Sequence, residues 1–274
     1  MEKYLKARLS NIFNSSIDNI SIIKKIEGGL SNDTYLVAVK DCKYTFRIKN
    51  TINKSDEEKI LHEMEKSNIT SKLIYYNQDK GEKISEYIDG LSLDLEPSKY
   101  LNDVALLLHK IHDIKIDCNK FDLNLDNYEI IDYDYPLKYK ILKDKYLEIK
   151  QNIIFNQTVL CHNDFMPSNL IMADKLYAID FELAGLNDPF YDIASYGSFK
   201  NFNNSLLLLD IYLGREANKD EKKKLYLIRI FQTLKWFNVA IFKHIKKVGN
   251  IDYNKHALNM LDIAEELIKE YIKL

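Results

Sequence analysis

Two short polar runs carry the side chains whose types and spacing suit chemistry. The first reads Cys161-His162-Asn163-Asp164-Phe165-Met166-Pro167-Ser168-Asn169, and the second Ala178-Ile179-Asp180-Phe181-Glu182. Each follows or closes a short apolar run, so each carboxylate is expected at the end of a strand. The spacing from Asp164 to Asn169, followed by Asp180, groups three oxygen-bearing side chains around one point. Such oxygens suit Mg2+, a hard cation that takes few protein ligands and completes its shell with water and phosphate oxygens.

The order His-x-Asp-x4-Asn and then Asp-Phe resembles the catalytic and metal-binding segments of protein kinases. Upstream, Gly28-Gly29-Leu30-Ser31-Asn32 sits between two expected strands, where a flexible backbone can approach phosphates. Arg47, in the third strand, stands in the place of the kinase strand lysine. Glu57, in the next helix, is its expected anionic partner, with Glu58 beside it. There is no GxxxxGK[ST] run, so a P-loop enzyme is not indicated. Taken singly, each feature has an ordinary explanation: a turn, a helix cap, a solvated strand face, a first-turn acid. The reading rests on their joint order, each in its expected local structure.

The elements that must position these residues follow from pattern. Glu2 to Phe13 predicts a helix ending at Asn14-Ser15-Ser16. Ile20 to Lys49 predicts a three-stranded meander with a tight turn at Lys40-Asp41-Cys42. Asp56 to Lys66 predicts a helix with an acidic start. Lys72 to Tyr76 and Lys83 to Ile88 return to strand character across Asp79-Lys80-Gly81. Beyond Gly90, Leu101, Val104, Ala105 and Leu108 keep helical spacing, with Pro97 as the expected helix starter. Leu261, Ala264, Ile268 and Tyr271 do the same near the end. Short strands are expected around Val159-Leu160, Leu170 to Met172 and Leu176 to Ile179. The layout predicts an α+β, two-lobed, protein-kinase-like fold: a β-rich nucleotide-binding lobe over 1–88 and a mainly helical catalytic and acceptor-binding lobe over 89–274.

The most specific stretch, His162-Asn163-Asp164 through Asn169 and then Ile179 through Ala194 (IDFELAGLNDPFYDIA), is similar to the choline/ethanolamine kinases, bacterial choline kinases in particular, which are related to the aminoglycoside phosphotransferases. The latter usually read HGD where this chain reads His162-Asn163-Asp164. The resemblance runs from about Ile23 to about Lys246 and includes Gly28-Gly29-Leu30-Ser31-Asn32 and Arg47. It implies ATP and Mg2+. Asp164 would accept or orient the proton of the acceptor hydroxyl, and Asn169 and Asp180 would hold the metal. Gly28, Gly29, Ser31, Asn32, Arg47 and Glu57 would serve the nucleotide phosphates. Ser85 to Ile88 would form the interlobe hinge, with the backbone of Glu86 and Ile88 on adenine. The implied reaction is transfer of the γ-phosphate to choline, with ethanolamine, thiamine or an aminoglycoside as other acceptors and a nucleotide-binding pseudokinase as the non-enzymatic alternative.

A quaternary ammonium has no N–H to donate and is recognised by aromatic faces and nearby carboxylates. The candidates are Trp236, the only tryptophan, with Tyr191 and Tyr196 as further walls and Glu182 and Asp188 as charge. Similar kinases carry two tryptophans three residues apart in that helix, and Thr233 stands at the first of these positions here. His109 and His112 read as surface or packing residues, and His162 as a buttress of its loop. The formal charge of -2 gives no support for nucleic-acid binding. Three scattered cysteines, Cys42, Cys118 and Cys161, without a CxxC pair, argue against a disulfide framework and fit a reducing compartment. With no signal-like N-terminus and no long apolar run, the expectation is a cytoplasmic protein with no membrane insertion.

Overall fold

The computed structural model describes residues 1–26, 32–49, 55–151, 153–197, 201–248 and 251–274. Gly28, Gly29 and Ser31 lie outside the described residues. The chain forms two compact units, Met1–Leu91 with Ile171–Glu182, and Ser92–Leu170 with Leu183–Leu274. The sequence-based division was a single cut at 88/89. The packing units instead meet at 91/92, and Ile171–Glu182 packs with the first unit, where the Ala178 N–H donates to the Ile69 carbonyl at 3.0 Å.

The first unit opens with α1 (Glu2–Phe13), which ends at Asn14 in the left-handed region (φ 47), its N–H bonded to the Ser10 carbonyl. β1 (Ile20–Ile26), β2 (Asn32–Val39), β3 (Cys42–Lys49), β4 (Leu73–Asn77) and β5 (Glu82–Glu86) form one antiparallel sheet in the order β1-β2-β3-β5-β4. α2 (Glu57–Lys66) lies between β3 and β4 in the chain. Side chains alternate across a strand, so each strand addresses two environments. Phe46 and Ile84 pack with Leu5 and Leu9 of α1 and with Tyr35, Val37 and Val39 in one apolar cluster. Glu82 shares that face and receives Arg8 of α1. Arg47, Lys49 and Lys83 alternate with those residues, and all three face Glu57 of α2.

A two-residue strand, β6 (Leu91–Ser92), precedes the second unit's α3 (Leu101–Asp113) and α4 (Leu137–Lys150). Then follow β7 (Val159–Cys161), β8 (Leu170–Met172), β9 (Leu176–Ala178) and β10 (Gly185–Asn187), of which β7 and β10 pair antiparallel. The chain ends in α5 (Phe190–Tyr196), α6 (Asn203–Leu213), α7 (Lys219–Ile245) and α8 (Tyr253–Lys273). α7 starts from a capping box, in which Asn218 and Glu221 bond each other's backbone N–H. Its long buried face holds α5, α4 and α8. Pro97 does not start α3: the helix begins at Leu101 behind Tyr100, and the Pro97 carbonyl instead accepts the Tyr196 hydroxyl. Among the described residues no helix is long and apolar enough to cross a membrane.

Candidate active site

In the first unit, strand period and register build a charged cluster. Arg47 and Lys49 are two apart on β3 and share a face, and Arg47 stands opposite Lys83 of β5. Like charges directly opposed on a sheet repel, so the arrangement requires an anion among them. Glu57, 1% exposed, supplies it. It accepts from Arg47, from Lys49 Nζ at 2.8 Å, from Lys83 Nζ at 2.9 Å and from the Tyr76 hydroxyl at 3.2 Å. Burial raises the Glu57 pKa, but Lys83, Arg47 and Lys49 overcome this and hold it well below the usual carboxylate range. Lys83, fully enclosed, is pushed down by burial and by Arg47. Glu58 points outward and is exposed. Arg47 also donates to Asp180 Oδ1 at 2.5 Å and lies 3.5 Å from Glu182 Oε2, which in turn accepts from Asn32 Nδ2 at 2.9 Å.

Asp180 reaches this cluster from a left-handed backbone conformation (φ 66), which residues other than glycine adopt rarely and Asp and Asn more readily than most. The same conformation occurs at Asn163 (φ 62) in the second unit. It turns the chain out of β7 so that Asp164 leaves the sheet. The Asn163 side chain fixes the turn, donating to the carbonyls of Leu183 (2.9 Å) and Gly185 (3.3 Å) and accepting from Asn187 Nδ2 (2.8 Å). Gly185 is required beside it, because a Cβ there would stand 2.7 Å from the Asn119 carbonyl oxygen. Asn169 closes the loop, its Nδ2 donating to the Asp164 carbonyl (2.9 Å) and to Asp164 Oδ2 (3.0 Å). His162, fully buried, accepts the Asp164 N–H on Nδ1 at 3.3 Å.

The loop hangs on Asp192 of α5, which is 0% exposed. Its Oδ2 accepts the His162 N–H and its Oδ1 the Asn163 N–H, both at 2.8 Å, and His112 Nε2 is 3.2 Å from Oδ2. His112, Cys161 and Asp192 bring ligand-type atoms together. All are committed to internal hydrogen bonds, His112 also to the Tyr212 hydroxyl and Cys161 to the Asp188 carbonyl. This is a buried bracket for the loop. Asp192→Asn turns an acceptor into an amide N–H facing a backbone N–H. The expected result is a stability loss of about 2–3 kcal/mol and a turnover at least about tenfold lower, since small displacements of reacting groups are costly. Thermal unfolding and steady-state rates check both.

Beside Asp164 in the second unit is a small cavity of about 10 Å³, lined by Asn163, Asp164, Met166, Tyr191, Ser195, Arg229, Gln232 and Trp236. Of the acceptor candidates, Tyr191 and Trp236 line this cavity. The other candidates are not among its lining residues. Tyr196 is buried and directs its hydroxyl to the Pro97 carbonyl. Asp188 is 1% exposed, accepts the Phe190 and Asn156 N–H groups and pairs with Lys224 at 2.5 Å, as the start of α5 requires. Glu182 belongs to the Arg47 cluster. Thr233 donates to the Arg229 carbonyl of its own helix. A larger cavity, about 600 Å³, lies in the first unit along Glu86, Tyr87 and Ile88, with Thr70, Lys72 and Tyr177, and does not include Arg47, Glu57 or Asp180.

A family model described as the phosphotransferase enzyme family matches residues 22–217. The chain belongs to the phosphotransferase enzyme family. Protein LicA of Haemophilus influenzae is 24% identical, over 89% of this chain and 79% of that protein. Among solved structures, a choline/ethanolamine kinase family protein from Mesorhizobium loti superposes with a TM-score of 0.81 at 18% identity, covering 97% of this chain and 94% of that one. Choline kinase LicA from Streptococcus pneumoniae gives 0.79 at 21% identity, covering 98% and 99%. Spectinomycin phosphotransferase gives 0.68 at 14% identity, covering 99% and 98%. The α+β fold is therefore the kinase-like fold of choline kinases and aminoglycoside phosphotransferases.

Each of the two residues that the resemblance implies for Mg2+ carries oxygen donors. Asp180 gives Oδ1 to Arg47, yet its side chain remains 35% exposed. Asn169 spends its amide N–H groups on Asp164, and its side-chain oxygen accepts no hydrogen bond among the described residues. Both offer the hard oxygens this cation takes. The residues that sequence reading missed are Lys49, Lys83, Asp192 and Lys235. The first two had a signal in the two-residue spacing and strand register, and Asp192 in its place within the motif.

Proposed function

We propose that this phosphotransferase moves the γ-phosphate of ATP to the hydroxyl of choline, giving phosphocholine and ADP. The choline assignment rests on one observation: the aromatic side chains beside Asp164 already enclose an ammonium group. Lys235 Nζ lies 4.4 Å from the centroid of Phe121, 5.1 Å from Tyr128 and 5.8 Å from Trp236. Faces that hold one organic cation suit the head of another.

The chemistry asks little covalent work of the protein. The acceptor oxygen forms a bond to the γ-phosphorus as the bond to the β-bridging oxygen breaks, and the hydroxyl proton passes to Asp164. Asn169 holds the Asp164 carboxylate in place through Oδ2. Arg47, Lys49 and Lys83 offset phosphate charge, and Glu57 keeps them aligned. Bound Mg2+, held by Asp180 and Asn169, would neutralise charge on the phosphate oxygens. The Ile88 N–H has no acceptor among the described residues and suits an adenine ring nitrogen.

A second reading, ethanolamine, is favoured by the nature of the enclosed group: Lys235 is a primary ammonium, as ethanolamine is. ADP release with Mg2+ and ATP separates the acceptors when choline, ethanolamine, thiamine and kanamycin are run in parallel. We expect choline to stimulate at least about tenfold more in kcat/KM than the others, a discrimination within reach of one pocket. A response confined to ethanolamine, thiamine or kanamycin removes choline, and no response to any acceptor favours a nucleotide-binding module.

A further inference from the structure

Lys235 is an unusual residue to bury. It lies on α7, is 5% exposed, and follows Leu234 and precedes Trp236 in the buried face of that helix. Its ammonium has three N–H donors, and among the described residues it has no hydrogen-bond or ion-pair partner. What surrounds it is the three aromatic faces of Phe121, Tyr128 and Trp236. Burial lowers its pKa to about 8, while Asp164 and Asp122 pull it back up.

The neighbouring cavity has room for about one water molecule. An acceptor with a trimethylammonium head cannot enter unless a side chain leaves. The walls are poor candidates: Tyr191 packs against Phe121 and Phe231, and Gln232 bonds the Tyr191 carbonyl and Ser195. Lys235 is long and unbranched, and its tip is held by ring contacts and by the attraction of Asp164 and Asp122. Its ammonium lies against Trp236, which also lines the cavity, and Lys235 can swing out without breaking a hydrogen bond among the described residues.

We propose that Lys235 determines acceptor specificity: its ammonium occupies the aromatic enclosure beside Asp164 as an internal stand-in for the acceptor's cationic head and competes with that head for the same faces. The competition is both steric and electrostatic, since two cations a few ångströms apart in a partly desolvated site repel strongly. The inference rests on reading this cavity as the acceptor site.

The test uses tetramethylammonium, which carries the cationic head but no hydroxyl, so binding is read without turnover. Trp236 is the only tryptophan and reports from the site. Emission and calorimetric titrations on the full chain compare wild type with Lys235→Met, Lys235→Leu and Lys235→Arg, each checked for folding by thermal unfolding. The neutral variants are expected to bind tetramethylammonium at least tenfold more tightly than wild type, and Lys235→Arg within about threefold of it. If choline is turned over, its KM should fall at least tenfold in Lys235→Met. Unchanged or weaker tetramethylammonium binding in the neutral variants that fold overturns the role of Lys235, even if choline is a good substrate. Tighter binding with choline left unphosphorylated supports Lys235 and removes choline as the acceptor.

Discussion

Asp164→Asn is expected to lower kcat by about 10²–10⁴-fold, the range over which a positioned general base contributes, while ATP affinity stays within about threefold of wild type. The carboxylate is the acidic group lining the cavity beside the aromatic enclosure, and a dedicated side chain, Asn169, fixes one of its oxygens. The substitution keeps the shape and removes the basicity. It also leaves the loop's brackets intact, because Asp192 holds the backbone N–H groups of His162 and Asn163, not the Asp164 side chain. The proposed phosphate-side groups, Arg47, Lys49 and Lys83, lie in the other packing unit, so nucleotide binding should survive. Single-turnover rates and calorimetry with a non-hydrolysable ATP analogue separate the two effects. A kcat within threefold of wild type would remove Asp164 from the chemistry.

The α+β layout was legible because its signals are local. β-rich runs bounded by a tight turn mark β2 and β3, and apolar spacing marks α3 and α8. The loop from His162 to Asn169 could be read because its members are neighbours in the chain and meet through short-range bonds. What eluded the sequence is set by register and by side-chain direction. Lys83 joins Glu57 only because β5 pairs with β3 with Lys83 opposite Arg47. Glu182 lies two residues beyond Asp180, and the chain carries it too into the Arg47 cluster. Asp188 looks like free charge in the motif, but a helix start consumes it. Lys235 was hidden by its residue type, since lysine on a helix normally reads as a solvated face.

Glu57→Gln is expected to cost about 3–5 kcal/mol of stability, the range found when one member of a buried ionic group is removed. At roughly 2–4 °C per kcal/mol for a chain of this order of size, the unfolding transition should move down by roughly 10 °C. Glu57 is 1% exposed and is the anion common to Arg47, Lys49 and Lys83. A glutamine keeps one acceptor oxygen but not the charge, so three cations are left crowded on one sheet face. The control is Glu58→Gln, one residue away and exposed, which should stay within about 0.5 kcal/mol of wild type. The pH dependence gives a second readout. The folded-state pKa of Glu57 is depressed, so its contribution is complete above its ordinary value of 4.5 and declines as the pH falls toward the lower folded value. The gap between wild type and Glu57→Gln should therefore be widest near pH 7 and narrow as the solution is acidified through pH 4.5. A gap of less than about 1 kcal/mol at pH 7, or one that does not narrow in acid, would mean the cations are stabilised by something other than Glu57. ATP affinity should fall alongside if Arg47 and the lysines are the phosphate-side groups proposed above, because they lose the partner that aligns them.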